Sequence, residues 1–172
     1  PAANVIALLR DYHNRLGQAV FDNEGTLDKY IGDGLMASFG TPEPGPNDAG
    51  HALQCALDMI TALAAWKGER TASGDKAVRI GIGLHYGPVI AGDIGNERRL
   101  EYGVIGDTVN IASRLEQLTR QLKTPIVLSD SLVMAIDQAS DARLAISNNF
   151  VSVTPLQIDL TRYSEVQPLS NW

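Results

Sequence analysis

The sequence predicts an α/β sandwich in which a mixed, largely antiparallel sheet packs against helices. Two observations support this fold class. Hydrophobic periodicity along the chain changes from helical spacing to alternation and back again. The predicted elements also follow the order helix, hairpin, helix, strands, helix and strand, which is typical of a layered α/β domain.

The first predicted elements are a helix and a hairpin. Apolar residues recur at helical spacing over residues 5–21, and a polar turn follows. Residues 26–31 alternate with period two, and residues 35–39 form a second short apolar run. The sequence Gly32-Asp33-Gly34 between these two runs is a turn signal, so the two strands are expected to pair as a hairpin.

The middle of the chain predicts a second helix followed by two strands. Residues 41–48 contain too much Pro, Gly and Asn for regular structure. A helix is expected at about residues 49–66, and the polar stretch 67–76 predicts a loop. Strands are expected at residues 78–86 and 89–94, on either side of Gly-Pro.

The last third predicts two more helices and further strands. A helix is expected at about residues 108–121, a buried strand at 124–128 and a short helix at 131–136. From about residue 144 onward the pattern predicts irregular strands. The 172 residues are expected to form a single domain.

Composition limits the classes of function. The net charge is -6, which argues against a nucleic-acid-binding protein because such proteins need a basic face. A phosphate site in so acidic a chain must rely on local cations, backbone N–H groups or bound metal. Cys55 is the only cysteine, and no long apolar run or leader is present, so a reducing, cytoplasmic location without a membrane segment is expected.

The hairpin carries the first candidate site residues. Because residues two apart share one face of a strand, Lys29 and Ile31 are expected to line up with Asp33 at the tip. The alternative interpretation is structural. Asp-Gly is a common hairpin turn, and a strand lysine is usually a solvated edge charge.

The third predicted helix carries a second candidate pair. Asn110 and Arg114 are four residues apart and therefore stack on one flank of the helix, where an amide and a guanidinium suit a phosphorylated sugar. Asp107 is the expected N-cap. The expected buried stripe consists of Ile111, Leu115, Leu118 and Leu122. Alternatively, Arg114 only covers the edge of that stripe.

Glycines dominate the segment from Gly81 to Gly95, which predicts close backbone approaches or bulges. No helix follows these glycines and no Gly-Lys-Ser/Thr is present, so neither a dinucleotide fingerprint nor a P-loop is predicted. His85 is interpreted as a packed histidine. The three histidines are not at spacings that predict a zinc site.

Together, three segments resemble the class III adenylate and guanylate cyclases. They read LDKYIGDGLMASFGTP, GIGLHYGPVIAGDIG and EYGVIGDTVNIASRLEQLT, in the order and at the separations found in that family. The resemblance implies a ferredoxin-like βαββαβ core, a homodimer with the active site at its interface, and attached or regulatory domains. The implied reaction converts ATP to 3′,5′-cyclic AMP and pyrophosphate with two divalent metal ions, Mg²⁺ or Mn²⁺.

The resemblance also implies roles for individual residues. Asp33 corresponds to the second of two metal-binding aspartates, and Lys29 to the lysine that reads the purine. Asn110 corresponds to the residue that orients the ribose, and Arg114 to the residue that stabilises the α-phosphate. In the family the metal aspartates come from one subunit, and the lysine, asparagine and arginine facing them come from the other.

Two departures from the family pattern leave an alternative open. The family's first metal aspartate lies on an opening strand, which this chain is expected to lack, and neither Asp11 nor Asp22 is placed to replace it. Gly103 stands where the family has Asp or Thr to accept from the adenine amino group. The alternative is a catalytically incomplete regulatory domain that dimerises. A diguanylate cyclase ranks last because its Gly-Gly-Asp/Glu-Glu-Phe hairpin is absent.

Overall fold

The computed structural model describes residues 2–72, 79–96, 98–140 and 151–158. The described residues form four helices and seven strands. The helices are α1 (Ala2–Asp22), α2 (Asp48–Ala72), α3 (Asp107–Leu122) and α4 (Asp130–Ser140). The strands are β1 (Thr26–Ile31), β2 (Gly34–Phe39), β3 (Ile80–Gly87), β4 (Ile90–Asn96), β5 (Arg99–Ile105), β6 (Ile126–Leu128) and β7 (Val151–Ile158). Within these ranges no helix combines the length and apolar character that a membrane span requires.

The main sheet has the strand order β1-β2-β7-β3-β6. The strand β7 is antiparallel to both β2 and β3, so β2 and β3 are parallel to each other, and α2 connects them. This arrangement is a split βαβ unit with one strand inserted, as in ferredoxin-like folds. The β3–β6 pair is parallel, so the sheet is mixed but largely antiparallel, as the sequence predicts.

One face of the sheet packs against α1, α2 and α4. Leu35, Ala37 and Phe39 of β2 and Ile82 and Leu84 of β3 point into this core, where all five are buried. The helices contribute Tyr12, Leu16, Val20, Ala52, Cys55, Met59 and Leu132. Strand alternation therefore leaves Met36 and the glycines of β3 on the opposite face.

The opposite face packs against α3, and glycines allow a very close approach. A Cβ atom at Gly83 would lie 2.2 Å from the carbonyl oxygen of Ala112 and 2.3 Å from the backbone nitrogen of Glu116. A Cβ atom at Gly81 would lie 2.4 Å from Oγ1 of Thr119. The predicted close backbone approach is therefore confirmed, and only glycine fits at these points.

This close contact changes which side of α3 is buried. The buried residues are Thr108, Ala112, Glu116 and Thr119, whereas Leu118 and Leu122 are 36% and 61% exposed. The prediction that Leu118 and Leu122 belong to the buried stripe was wrong. Small side chains face β3 because the helix axis lies too near the strand for leucine.

The strands β4 and β5 form a separate two-stranded ribbon that contacts β1. The sequence analysis missed β5, although Leu100, Tyr102 and Val104 alternate with polar residues or glycine. Val104 packs with Met36 and Ala112, which anchors the ribbon to the α3 face of the sheet. The outer part of the ribbon carries several exposed apolar side chains.

Two boundaries also differ from the predictions. Helix α2 continues through the polar segment after Trp66 to Ala72. There, Arg15 bridges Glu69 at 2.9 Å, and the guanidinium of Arg70 lies 5.0 Å from the Trp66 ring. At α3 the N-cap is Gly106 with φ 143°, not Asp107, which is the first helical residue. Part of the segment after residue 144, which was predicted as irregular strands, lies outside the described residues.

Candidate active site

The hairpin positions two of the candidate residues through a bulge and a tight turn. Leu27 pairs with Ala37 and Lys29 pairs with Met36, so Asp28 is an extra residue in β1. Bulges of this kind redirect side chains and are common next to active sites. The turn that follows requires Gly32 in the left-handed region, with φ 62°.

Lys29 and Gly103 are brought together by the contact of β1 with β5. The Nζ atom of Lys29 lies 3.5 Å from the point where a Cβ atom at Gly103 would stand. Oδ1 of Asp28 is 3.7 Å from the same point, and Cδ1 of Ile94 is 3.3 Å from it. The two residues predicted to contact the substrate base therefore lie in one small cluster, at the edge of the α3 face.

Asp28 belongs to the same cluster and was not predicted from the sequence. Its side chain is 1% exposed, and Oδ2 lies 3.6 Å from Nζ of Lys29. Burial raises the pKa of Asp28, and the charge of Glu101 adds to this, whereas Lys29 and the backbone N–H of Val104 lower the pKa in part. No sequence signal distinguishes a bulged aspartate from a solvated strand residue.

Asp33 lies in the hairpin turn and faces α1. Its negative charge raises the pKa of Tyr12, together with the larger effect of burial. Burial lowers the pKa of His13, while the Asp33 carboxylate and backbone act in the opposite direction. The charge of Asp33 therefore acts on Tyr12 and His13 of α1, and it also raises the pKa of Glu116 on α3. Lys29 contacts β5 instead.

Asn110 and Arg114 lie on the exposed side of α3. They are one turn apart, and this side is opposite to the buried residues Ala112 and Glu116. Neither side chain makes a hydrogen bond or ion pair with another residue of the part of the chain that is described. The two residues share one side of the helix, as predicted, but this side does not border the buried face as expected. Both groups are available to a ligand or a second chain.

His85 has a structural environment. Its Nδ1 atom lies 2.8 Å from Oγ of Ser129 and 3.3 Å from Oγ of Ser131. Burial lowers the pKa of His85, which favours the neutral ring. These contacts agree with the interpretation of His85 as a packed histidine.

Comparison with known proteins gives consistent results. Residues 1–149 match the family model described as the adenylate and guanylate cyclase catalytic domain. The chain is 35% identical over 153 residues to the adenylate cyclase of Anabaena cylindrica, covering 87% of this chain and 30% of that protein. It is 34% identical over 129 residues to adenylate cyclase 1 of Rhizobium meliloti strain 1021, covering 75% of this chain and 19% of that protein.

The chain belongs to the adenylate and guanylate cyclase catalytic domain family. The crystal structure of the guanylyl cyclase Cya2 agrees in fold, with a TM-score of 0.72 and 31% identity over 79% of this chain and 68% of that one. The resemblance to class III cyclases and the predicted fold class are confirmed. The cyclase domain spans 19% and 30% of the length of the two curated relatives.

Members of this family generally use divalent metal ions, and the described residues fit such ions only in part. Asp33 is half-buried in a turn and is able to serve as one carboxylate ligand, since Mg²⁺ binds through one or two carboxylates together with substrate phosphates. No group of three or more potential ligands occurs within the described ranges. Asp11 is paired with Arg15 at 3.1 Å, and Asp22 accepts from Gln18 at 2.7 Å, so neither adds to the site.

Proposed function

We propose that this cyclase domain converts ATP to 3′,5′-cyclic AMP and pyrophosphate. The observation that carries the proposal is the position of the Lys29 ammonium against Gly103 in the cluster at the edge of the sheet. Adenine N1 is a hydrogen-bond acceptor, which an ammonium donor suits, whereas guanine N1 carries a proton. Both curated relatives are named adenylate cyclases, which supports ATP, although Cya2 is a guanylyl cyclase.

In the proposed reaction the 3′-oxygen of ATP attacks the α-phosphorus, and pyrophosphate leaves from the opposite side. Lys29 donates to the base, and Asn110 orients the ribose. Arg114 interacts with the non-bridging α-phosphate oxygens, on which negative charge builds up in the transition state. Asp33 would be one ligand of the divalent metal ions, which when bound would supply a lowered pKa of the 3′-hydroxyl and charge neutralisation of the triphosphate.

The active form in this proposal is a homodimer with composite sites. Asn110 and Arg114 lie on the exposed side of α3, the charge of Asp33 acts on residues of α1 and α3, and Lys29 lies against β5. One chain therefore does not gather all the groups in one place. A symmetric pair creates two equivalent sites, each with Asp33 from one chain and Lys29, Asn110 and Arg114 from the other.

The exposed apolar surface of the β4–β5 ribbon supports the homodimer. Ile90 is 71% exposed and Leu100 is 64% exposed, and Ile94, Tyr102 and Ile105 are also exposed. An isolated two-stranded hairpin is marginally stable in water, and an exposed apolar patch often marks an interaction surface. A second copy of the chain would cover this ribbon.

A second candidate function is a regulatory cyclase-like domain without turnover. The observation in its favour is that no group of three or more potential metal ligands occurs in the described residues. In this alternative the domain dimerises and binds nucleotide but does not form a cyclic product.

The test is product formation by the purified natural protein with ATP or GTP and Mg²⁺ or Mn²⁺. We expect cyclic AMP and an equal amount of pyrophosphate from ATP, and loss of both products on addition of a chelator. A dimer that binds ATP but yields neither product with either metal would support the regulatory alternative. If cyclic GMP is the main product, the protein selects guanine and not adenine, and the proposed base specificity is wrong.

A further inference from the structure

The buried carboxylate of Asp28 has no assigned role, and Lys29 and the backbone N–H of Val104 compensate its charge only in part. Its side chain is 1% exposed, and neither Oδ1 nor Oδ2 makes a hydrogen bond of normal geometry to another described residue. An ionised carboxylate whose charge is compensated only in part is costly to bury. A ligand that donates a hydrogen bond at this position would remove that cost.

The bulge in β1 is what places Asp28 next to Lys29. In a regular strand, two consecutive side chains point to opposite faces of the sheet. The register shift between Leu27 and Lys29 breaks this rule, and Oδ2 of Asp28 comes within 3.6 Å of Nζ of Lys29. The result is an acceptor and a donor side by side in one cluster.

Gly103 has no side chain that would lie against Asp28. Oδ1 of Asp28 is 3.7 Å from the place where a Cβ atom at Gly103 would stand, and Nζ of Lys29 is 3.5 Å from it. A side chain at position 103 would therefore begin within van der Waals distance of both charged groups. The Asp28 carboxylate therefore lies beside position 103, next to the point where such a side chain would begin.

The pair of groups complements one edge of adenine. Adenine presents the acceptor N1 beside the donor amino group at carbon 6. An ammonium that donates to N1 and a neighbouring carboxylate that accepts from the amino group satisfy both atoms. Hydrogen bonds that involve a charged partner are the stronger class.

We propose that Asp28 is a specificity-determining residue that accepts a hydrogen bond from the exocyclic amino group of adenine. This inference rests on the proposed function, since it takes the cluster around Lys29 as the site of the base. In this proposal Asp28, which the bulge of β1 places beside Lys29, supplies the hydrogen-bond acceptor that glycine at position 103 does not provide.

The experiment compares ATP with purine riboside 5′-triphosphate, which keeps N1 but has no amino group. In the wild-type natural protein we expect kcat/KM to be about ten- to a hundredfold higher for ATP, the range for one charge-assisted hydrogen bond. In Asp28→Ala the ratio should fall toward one, because only the amino group distinguishes the two nucleotides. In Asp28→Ala combined with Gly103→Thr, the new hydroxyl should restore part of the preference.

Asp137→Ala is the matched control, because Asp137 is an exposed acid on α4 away from the cluster, and its ratio should equal that of the wild type. Asp28→Leu, which keeps a branched side chain but has no acceptor, provides a second variant with the same expected ratio if Asp28→Ala does not fold. If Asp28 only positions Lys29, both nucleotides will lose kcat/KM equally and the ratio will not change, which overturns the inference. A wild-type preference for GTP that Asp28→Ala removes would also overturn it.

A binding measurement separates this inference from the proposed function. Each triphosphate displaces a fluorescent ATP analogue from the wild type and from Asp28→Ala. If no turnover occurs but the wild type binds ATP more tightly than purine riboside triphosphate, and Asp28→Ala does not, the proposed activity fails and the role of Asp28 stands. Equal affinities for the two nucleotides in the wild type would refute the role of Asp28, whatever the turnover.

Discussion

The ammonium of Lys29 lies 3.5 Å from the position that the first side-chain atom of residue 103 would take. These residues are far apart in the sequence and meet because the β4–β5 ribbon lies against β1. The contact turns a strand lysine, which on sequence alone is more often a solvated charge, into part of a partly buried cluster. The account of base recognition depends on this contact.

Arg114→Ala should lower kcat for ATP much more than it raises KM. The guanidinium gains interaction energy only as charge builds up on the α-phosphate, and interactions of that kind appear in kcat. We expect a loss of about a hundred- to a thousandfold. Steady-state kinetics on the natural protein, with a melting curve for each variant, is the measurement.

Arg120→Ala is the control on the same helix, because Arg120 lies beside Glu116 at 3.8 Å and is not assigned to the site. The Arg120→Ala variant should have the kcat of the wild type. If Arg114→Ala melts early but retains normal turnover per folded molecule, the residue only covers the helix, and its catalytic assignment is wrong.

Leu100→Glu should weaken the dimer by about tenfold or more while leaving the fold of each chain intact. Leu100 is 64% exposed on the ribbon in a single chain, so a glutamate is tolerated there by the monomer but not in an apolar interface. Equilibrium sedimentation over a range of concentrations measures the effect. Met134→Glu on α4, where the wild-type residue is 61% exposed, should leave the dimer unchanged. Equal dimerisation of both variants would exclude the ribbon from the interface.

Asp28→Asn should stabilise the chain without nucleotide, and more so as pH rises. Burial raises the folded-state pKa of Asp28 above the ordinary value of 3.8, so the folded state holds a proton that the unfolded state has already lost. Wild-type stability therefore falls as pH rises from about 4 through the folded pKa, whereas asparagine has no such loss. Lys29 opposes this shift and Glu101 adds to it.

Above that window the gain should reach about 1 kcal/mol, the part of the cost of burial that the pairing with Lys29 does not offset. Thermal melts of Asp28→Asn and the wild type from pH 4 to pH 8 measure it, with Asp137→Asn as the exposed control. A difference between Asp28→Asn and the wild type that stays constant over this range would show that the folded state does not penalise the carboxylate.

Gly83→Ala should destabilise the domain by about 1–3 kcal/mol. Its Cβ atom would lie 2.2 Å and 2.3 Å from two backbone atoms of α3, which are unable to move without shifting the helix. Gly68→Ala is the opposite control, since Gly68 is exposed within α2 and its Cβ would meet nothing within 4 Å. Alanine at position 68 should raise the free energy of unfolding by about 0.5–1 kcal/mol. Chemical denaturation compares them, and a neutral Gly83→Ala would mean that α3 does not pack as described.

The sequence predicted the elements with strong periodicity, and it failed where packing decided the outcome. Helix α3 was expected to bury Ile111, Leu115, Leu118 and Leu122, because large aliphatic residues are the usual signal of a core face. The structure instead buries small residues there, since Gly83 draws the helix against the strand. The glycine spacing contained that information, but the leucines dominated the pattern.

The site was predictable to the extent that its residues lie in contiguous motifs. Helical spacing placed Asn110 and Arg114 on one side of α3, and the hairpin sequence placed Lys29 near Asp33, but their roles were implied only by the resemblance to the cyclase family. Asp28 was missed because its position depends on a bulge, and an aspartate beside a lysine has no distinctive pattern. The meeting of Lys29 with Gly103 depends on tertiary contacts between β1 and β5, which local sequence does not specify.

The composite site is the central claim, and mixing two inactive variants tests it most directly. Asp33→Ala and Arg114→Ala chains, unfolded and refolded together, should form mixed dimers in which one of the two sites has both residues intact. If pairing is random, half of the dimers are mixed, so cyclic AMP synthesis should recover to about a quarter of the wild-type rate. Each variant refolded alone should remain nearly inactive.

Lys29→Ala mixed with Arg114→Ala is the matched control, because both residues are assigned to the same side of the site. In those mixed dimers every site lacks one of the two groups, so activity should not recover. The account therefore predicts recovery with the first pair and none with the second. No recovery with Asp33→Ala and Arg114→Ala, despite demonstrated mixed dimers, would contradict the composite site.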